Sequence, residues 1–362
     1  MKPRMITHVV GCIALLTSAL SVSGLAQAQV QTQEQPQAQD TQQVRVCLST
    51  CVELSQPAKR VIALNWSVIE MLLSLEVEPA GITQGNGYRK WQSNHPALPE
   101  NVTEVGRRQE PDLVGIAKLK PDLIIGYNFR HARLHAALSR IAPTLLYQQF
   151  PQKGDKSPDS QNTNESKDFL YFDAVPAIYN GIAKAVGKSE LAQQKLVTME
   201  SELVALQAKL DHAGFANYPV SYAKFVGMGY GLRVFGPQSM AGTVAQKLGL
   251  SYRWQRTLPG KDFTHLQLEQ MSELADSHII LADNQTNNDR ILTSPVWSAL
   301  PFVKASLISH TSGLWSFGGP DSILRMAHAF TDSLLEWKTA NAANTTKHQQ
   351  AFSENAQQEA SE

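Results

Sequence analysis

The chain has 362 residues, 43% hydrophobic and 18% charged, with 32 basic side chains against 32 acidic ones. That length accommodates two globular domains with real cores, and the composition excludes a chain disordered throughout. The absence of a basic excess argues against a nucleic-acid partner.

The N-terminal pattern is that of a targeting signal. Lys2 and Arg4 precede an apolar run from Ile13 to Leu25, and Ala26, Gln27 and Ala28 form a small-x-small cleavage site. A signal peptide over 1–28 is predicted, and with it an exported protein; Val10-Gly11-Cys12 leaves a lipoprotein reading open. Cleavage removes Cys12 and leaves Cys47 and Cys51. An even pair in an exported chain suggests a disulfide stapling a hairpin between "VRV" and "VEL", with a metal pair as the alternative. Residues 29–43 are Gln-rich and lack apolar periodicity, the composition of a flexible leader.

Order is expected from Val44. "RVIAL" reads as a strand, Ser67 to Leu75 as a helix and "AGIT" as a strand. Next comes "GRRQEPDLVGIAKLKPDLIIGYNFRH". Asp112 caps a helix through Leu119, Pro121 forbids its continuation, and Leu123 to Ile125 make a short buried strand. Arg107, Arg108 and Arg130 are thereby placed in loops. A helix from Leu134 to Ile141 and the strand "TLLYQ" complete an alternation that marks a parallel sheet with crossover helices. Ligands of such sheets bind beyond the carboxyl ends of the strands, where Arg130 stands. This N-terminal lobe spans 44–168, with 151–167 a polar insertion.

Residues 169–213 read as helical. Leu196, Met199, Leu203, Leu206 and Leu210 alternate spacings of three and four over too few heptads for a coiled coil, so a connecting helix is expected. In the second lobe, 214–338, "VSYAKFV" and "SLIS" read as strands, and Ser239 to Leu248 and Ser322 to Trp337 as helices. "LQLEQMSELADSHIILADN" repeats the helix, polar turn and strand of "PDLVGIAKLKPDLIIGYN", with Asp276 where Asp122 stands. Residues 339–362 read as a frayed tail. The fold class is therefore α/β, with two similar lobes joined by one long helix and a ligand cleft between them.

Trp91, Trp254 and Trp315 fall in loops. One such tryptophan would more simply fill core space, but three beside polar or glycine-rich residues favour a cleft for a bulky, partly apolar ligand. Arg108 and Arg130 add charge-assisted hydrogen bonds for an anionic or oxygen-rich ligand, or else are solvated surface arginines. Tyr88, Tyr230 and Arg233 are further candidates. His131 and His135 have the i, i+4 spacing of a zinc pair, but no His-Glu-x-x-His arrangement accompanies them, and a solvated helix face explains them better. No nucleophile elbow or phosphate-cradling loop is present, so no enzyme is expected.

The segments "RVIALNWSVIEMLLSLEVEPAGI", "GYRKW", "VGRRQEPDL", "VFGPQS", "SPVWSALPFVKA" and "LWSFGG" occur in this order over about Arg60 to Leu335. In that arrangement the chain resembles the periplasmic substrate-binding proteins of ferric-siderophore ABC importers, of the ferric-hydroxamate type. The resemblance implies two lobes on one long helix, a ferric siderophore as ligand, an inner-membrane permease with its ATPase as partner, a monomer, and no cofactor, since iron arrives already chelated. It implies that Arg108 contacts the iron-chelating oxygens and that Trp91, Trp254 and Trp315 line the cleft. Where relatives of the hydroxamate type carry a ligand-contacting tyrosine this chain has Arg130, as in members that take citrate-bearing siderophores. Permease docking by one exposed glutamate per lobe assigns Glu269 in the second lobe. The first-lobe position is Val114, with Glu110 close by as a substitute. A catecholate siderophore, a corrinoid, haem or a free metal are the alternative ligands, and an exported siderophore-processing enzyme the alternative function.

Overall fold

The structure is a computed structural model that describes residues 43–148, 171–225, 231–258, 261–283 and 289–341. The expected signal peptide, the leader apart from its last residue, the insertion 151–167, Tyr230 and the tail beyond Asn341 lie outside the described residues.

The N-terminal lobe opens with an antiparallel hairpin, β1 (Val44–Cys47) and β2 (Cys51–Leu54), closed by the Cys47–Cys51 disulfide. Next come β3 (Val61–Ala63), α1 (Trp66–Ser74), β4 (Gly81–Ile82), α2 (Gly85–Trp91), α3 (Leu113–Lys118), β5 (Leu123–Tyr127), α4 (Asn128–His131), α5 (His135–Ser139) and β6 (Thr144–Tyr147). The four strands pair in parallel in the order β4-β3-β5-β6. Their continuous apolar runs have a direct cause, since both faces are covered. Val61, Ala63, Leu123 and Ile125 belong to one buried cluster, whereas Ile62, Leu64 and Ile124 belong to the other, as period-two alternation requires. Asp112 caps α3 as expected, its carboxylate accepting from the Val114 and Gly115 N–H groups. Asp122 accepts from the backbone N–H groups of Lys59 and Arg60, locking the entry of β5 to that of β3.

α6 (Tyr171–Ala185) packs on the hairpin side of this lobe, and α7 (Ser189–His212) follows. The 24 residues of α7 span about 36 Å. Ala192 is buried in the N-terminal core, Met199, Leu203, Leu206 and Leu210 in the C-terminal core, and Leu196 touches both. The heptad-like stripe is thus the buried seam of a strut between two cores.

The C-terminal lobe contains β7 (Pro219–Phe225), β8 (Gly231–Phe235), α8 (Met240–Lys247), β9 (Ser251–Tyr252), β10 (Phe263–Gln267), a 3-10 segment (Leu268–Leu274) and β11 (His278–Asp283). α9 (Asp289–Leu292), α10 (Pro295–Ala299), α11 (Pro301–Lys304), β12 (Ile308–Ser312) and α12 (Pro320–Ala340) complete it. β9, β7, β11 and β12 are mutually parallel and repeat the order of β4, β3, β5 and β6, so the internal symmetry read from sequence is a symmetry of topology. Onto this frame β8 and β10 add an antiparallel extension.

Several local expectations are corrected. Arg130 sits in the short helix α4 and Trp91 ends α2; neither is in a loop. The "LQLEQMSEL" stretch divides into the end of β10 and a 3-10 turn, because Gln267 and Gln270 close a capping box that starts the turn at Leu268. β12 lies over Ile308–Ser312, displaced toward the C-terminus from "SLIS", and the last helix runs from Pro320 through Ala340, past the expected start of the tail. β8 and β10 went unforeseen, since "GLRVF" follows a glycine-rich run that reads as loop.

Candidate functional site

The carboxyl ends of the parallel strands bring the relevant side chains together. Asn65 and Trp66 follow β3, Gln84 follows β4, Tyr127 and Tyr147 end β5 and β6, Lys224 lies near the end of β7, and Trp315 follows β12. Arg108 is at the centre. Its guanidinium carbon stacks 3.4 Å from the centroid of the Trp66 ring and lies 6.0 Å from that of Trp315. Arg108 Nε donates to Gln84 Oε1 at 3.2 Å. Gln84 holds a left-handed backbone, φ 55°, and its carbonyl accepts from Trp66 Nε1 at 3.1 Å, so one residue positions both arginine and indole. Gly87 is required there, because a Cβ would collide with the Trp66 ring. Burial, reinforced by Arg130, brings the Arg108 guanidinium down to about 10, which leaves it charged at neutral pH.

Arg130 is the second cation of this wall. Its Nε is buried without a hydrogen-bond partner among the described residues, and the charges of Arg130 and Arg108 repel one another. Neither arginine forms an ion pair among the described residues. They are held together by His131, whose Nδ1 accepts from the Tyr127 N–H at 2.9 Å and whose Nε2 bonds the Arg108 carbonyl at 2.8 Å. The ring is therefore neutral with its proton on Nε2, and burial, countered only partly by these hydrogen bonds, lowers its pKa from 6.5 to about 4. With both nitrogens engaged and the side chain buried, His131 is unavailable to a metal, which corrects the free-metal alternative built on His131 and His135. His135 bonds the Thr144 carbonyl through Nε2.

The other wall comes from the C-terminal lobe and the β12–α12 loop. Trp315 Nε1 is buried and unpartnered among the described residues, and its ring contacts Trp66 at 5.0 Å and Phe317 at 5.2 Å. Lys224 is buried, donates to Ser316 Oγ at 3.2 Å and lies 5.1 Å from the Phe235 ring. The carrying loop is pinned to the N-terminal lobe by Glu70 of α1. That buried carboxylate accepts from the N–H groups of Gly319 and Ser322 and from Ser322 Oγ, at 2.6–2.9 Å. Ser67 Oγ also donates to the Phe317 carbonyl, and Arg325 donates to the Gln92 carbonyl at 3.0 Å. A Cβ at Gly318 would strike Glu70 and Ser322, which explains the glycine after "LWSF".

The remaining candidates fall elsewhere. Tyr88 is fully buried with its hydroxyl donated to the Pro96 carbonyl at 2.8 Å, and belongs to the core. Trp254 is only 5% exposed, donates Nε1 to Thr264 Oγ1 at 2.9 Å and packs in the C-terminal core, so the expectation of an open cleft wall is corrected. Trp91 is half-buried against the N-terminal core, outside the Arg108 group, with Lys90 over its ring. Arg233 is half-buried over the Phe263 ring at 4.0 Å. Glu269 is exposed at the start of the 3-10 segment. Glu110 is also exposed but is paired with Arg107 at 3.7 Å, while Val114 is 65% exposed. Cys47 and Cys51 form the disulfide. Sequence reading missed Trp66, Gln84, Tyr127, Tyr147 and Lys224. The lysine alone left a signal, as the one charge inside the apolar strand "VSYAKFV".

Comparison with known proteins agrees with this architecture. Residues 61–311 match the periplasmic binding protein family. The iron(3+)-hydroxamate-binding protein FhuD of Escherichia coli (strain K12) is 24% identical over 279 residues, 76% of this chain and 86% of that protein. The Fe(3+) dicitrate-binding periplasmic protein FecB of the same organism is 24% identical, covering 73% and 80%. Among solved structures, the Fe3+-Desferal-bound siderophore binding protein FhuD from Vibrio cholerae superposes with a TM-score of 0.68 at 28% identity, over 77% of this chain and 98% of that one. The paired parallel sheets, the long strut and the family match over most of the ordered chain lead to one conclusion: this chain belongs to the periplasmic binding protein family.

Proposed function

We propose that this protein captures a ferric siderophore of hydroxamate or citrate-hydroxamate type between its lobes and delivers it to an inner-membrane ABC importer, a permease with its ATPase. The observation that carries the reading is the Arg108–Arg130 pair, two mutually repelling cations, the first stacked on Trp66, that form no ion pair among the described residues. Like charges so placed are destabilising unless an anionic ligand lies between them. The chelating oxygens of an iron complex supply that density, and Arg108 and Arg130 donate to them while Trp315 covers the organic skeleton. Iron is cargo inside the chelate, so no cofactor is needed, and the protein binds without catalysing a reaction.

Related proteins that bind iron(3+)-hydroxamate and Fe(3+) dicitrate support the ligand class. The signal peptide read over 1–28 supports export to the periplasm, and the protein is read as a monomer there. Glu269 serves as the second-lobe contact with the permease. Glu110 is the first-lobe candidate once its exposed ion pair with Arg107, worth little, is exchanged for a permease arginine. The test is isothermal titration of mature protein with ferrioxamine B and with ferric aerobactin. Arg108→Ala is expected to weaken whichever complex binds by about tenfold or more while leaving the circular dichroism spectrum unchanged. Unchanged affinity would remove Arg108 from the site.

A further inference from the structure

One short helix serves both tryptophans beside Arg108. Trp66 opens α1 and carries the Arg108 guanidinium on its ring, while Ser67 and Glu70 of the same helix hold the loop that bears Trp315. Ser67 and Glu70 are three residues apart and so lie on one helix face. They are 0% and 1% exposed, which means that any influence on a ligand passes through what they hold.

The loop is divided between two cores. Leu314 is buried in the C-terminal core and Ser316 accepts from Lys224 of β7, but Trp315 between them packs against the N-terminal core, its ring 5.0 Å from that of Trp66. Trp315 Nε1 has no hydrogen-bond partner among the described residues, so the indole is placed by ring contacts and by the backbone that carries it. α1 acts on that backbone. Ser67 Oγ donates to the Phe317 carbonyl, the Gly319 and Ser322 N–H groups donate to Glu70 Oε1, and Ser322 Oγ donates to Oε2. Glu70 has no basic partner among the described residues, so its carboxylate is engaged wholly with the loop and the start of α12. An apolar side chain in its place would avoid the cost of burying a charge, and what the carboxylate supplies instead is a fixed loop.

We infer that Glu70 and Ser67 are positioning residues of the binding site: by holding 317–322 they set Trp315 against Trp66, and through Trp315 they determine how tightly the site takes its ligand. The inference rests on the siderophore reading above and deepens it, since it names the residues that shape the aromatic wall from behind.

The experiment is a calorimetric titration of the full mature protein with ferrioxamine B and with ferric aerobactin, at a temperature well below the Tm of every variant. Glu70→Ala and Ser67→Ala are expected to weaken whichever complex the wild type binds by about tenfold and about threefold. Glu70→Gln, whose amide oxygen can accept the same two N–H groups, is expected to stay within about twofold of wild type. In a Trp315→Ala background Glu70→Ala is expected to add little to the loss, because the two residues act on the ligand in series. A role in stability alone predicts a lower Tm for Glu70→Ala with unchanged Kd, and that result would overturn the inference, as would losses that simply add in the double variant. Failure of the wild type to bind either complex would refute the siderophore reading, and the positioning role is then decided without ligand. Acrylamide quenching of Trp315, taken as the difference between each protein and its Trp315→Phe form, is expected to rise in Glu70→Ala and not in Glu70→Gln. An unchanged difference in Glu70→Ala would overturn the role of Glu70 in placing the indole.

Discussion

Arg108 owes its position to three neighbours: the stacked Trp66 ring, the left-handed Gln84 and the neutral His131 beneath its carbonyl. His131 makes that arrangement dependent on pH. Its folded pKa of about 4 lies below the ordinary 6.5, so between these values the unfolded chain binds more protons and stability falls as pH falls. The contribution, present in full above 6.5, is worth up to about 3 kcal/mol and is lost as pH drops through 4. Urea titrations at pH 7 and pH 4.5 are expected to show His131→Leu less stable at both values but with a shallower change between them than wild type. Equal changes would mean that His131 is not buried neutral. Glu70, pushed up to about 7 by burial, acts in the opposite direction over pH 4.5–7, so the comparison with the variant and not the wild-type curve alone isolates the histidine.

Glu70 gives a second residue-level prediction. One oxygen accepts both backbone N–H groups, and an amide oxygen can do the same. Glu70→Gln is thus expected to cost under about 1 kcal/mol, whereas Glu70→Ala, which strands buried donors at the start of α12, costs about 3 kcal/mol or more. Thermal unfolding of the two variants decides it, and equal losses would refute the pin. Residues of this kind are the hardest to read in a sequence. Arg108 and Arg130 could be singled out because charges beside an α/β strand end have few structural uses. Trp66 and Glu70 sit inside an apolar helical pattern, and their roles exist only through partners as distant in sequence as Gln84 and Ser322.

At the scale of elements, legibility followed the length of the periodic signal. The stripe of α7 and the two-sided apolar runs of β3 and β5 were clear because burial repeats over several residues. β8, β10 and the 3-10 turn were not, since their boundaries depend on pairing and on a side-chain cap. The hairpin of β1 and β2 was legible through its cysteines. It is held also by the Ser49 N–H to the Leu146 carbonyl and by Thr50 Oγ1 bonded to both the Thr144 carbonyl and the Leu146 N–H. The disulfide closes a short loop, so replacing both cysteines by serine is expected to cost about 2 kcal/mol in denaturant unfolding and to leave ligand affinity unaltered. A loss of folding would show that the hairpin depends on the bridge alone.

At the scale of the molecule, the repeated parallel order β4-β3-β5-β6 and β9-β7-β11-β12 aims two sets of strand ends at one region, and α7 fixes their separation. Second-lobe attachment through Glu70 ties the aromatic loop of one core to the first helix of the other. The central claim is that this region takes up a metal already inside its chelate. It is tested most directly by the intrinsic tryptophan fluorescence of the mature protein, titrated with ferrioxamine B, ferric aerobactin and ferric dicitrate, each beside its iron-free form and with inner-filter controls. Saturable quenching by a ferric complex, much weaker with the same chelator lacking iron, is the predicted result, because Trp66 stacks on Arg108, the residue proposed to receive the chelating oxygens, and Trp315 lies 6.0 Å from it. Quenching by none of the ferric complexes, or equal quenching by the iron-free chelators, would contradict it.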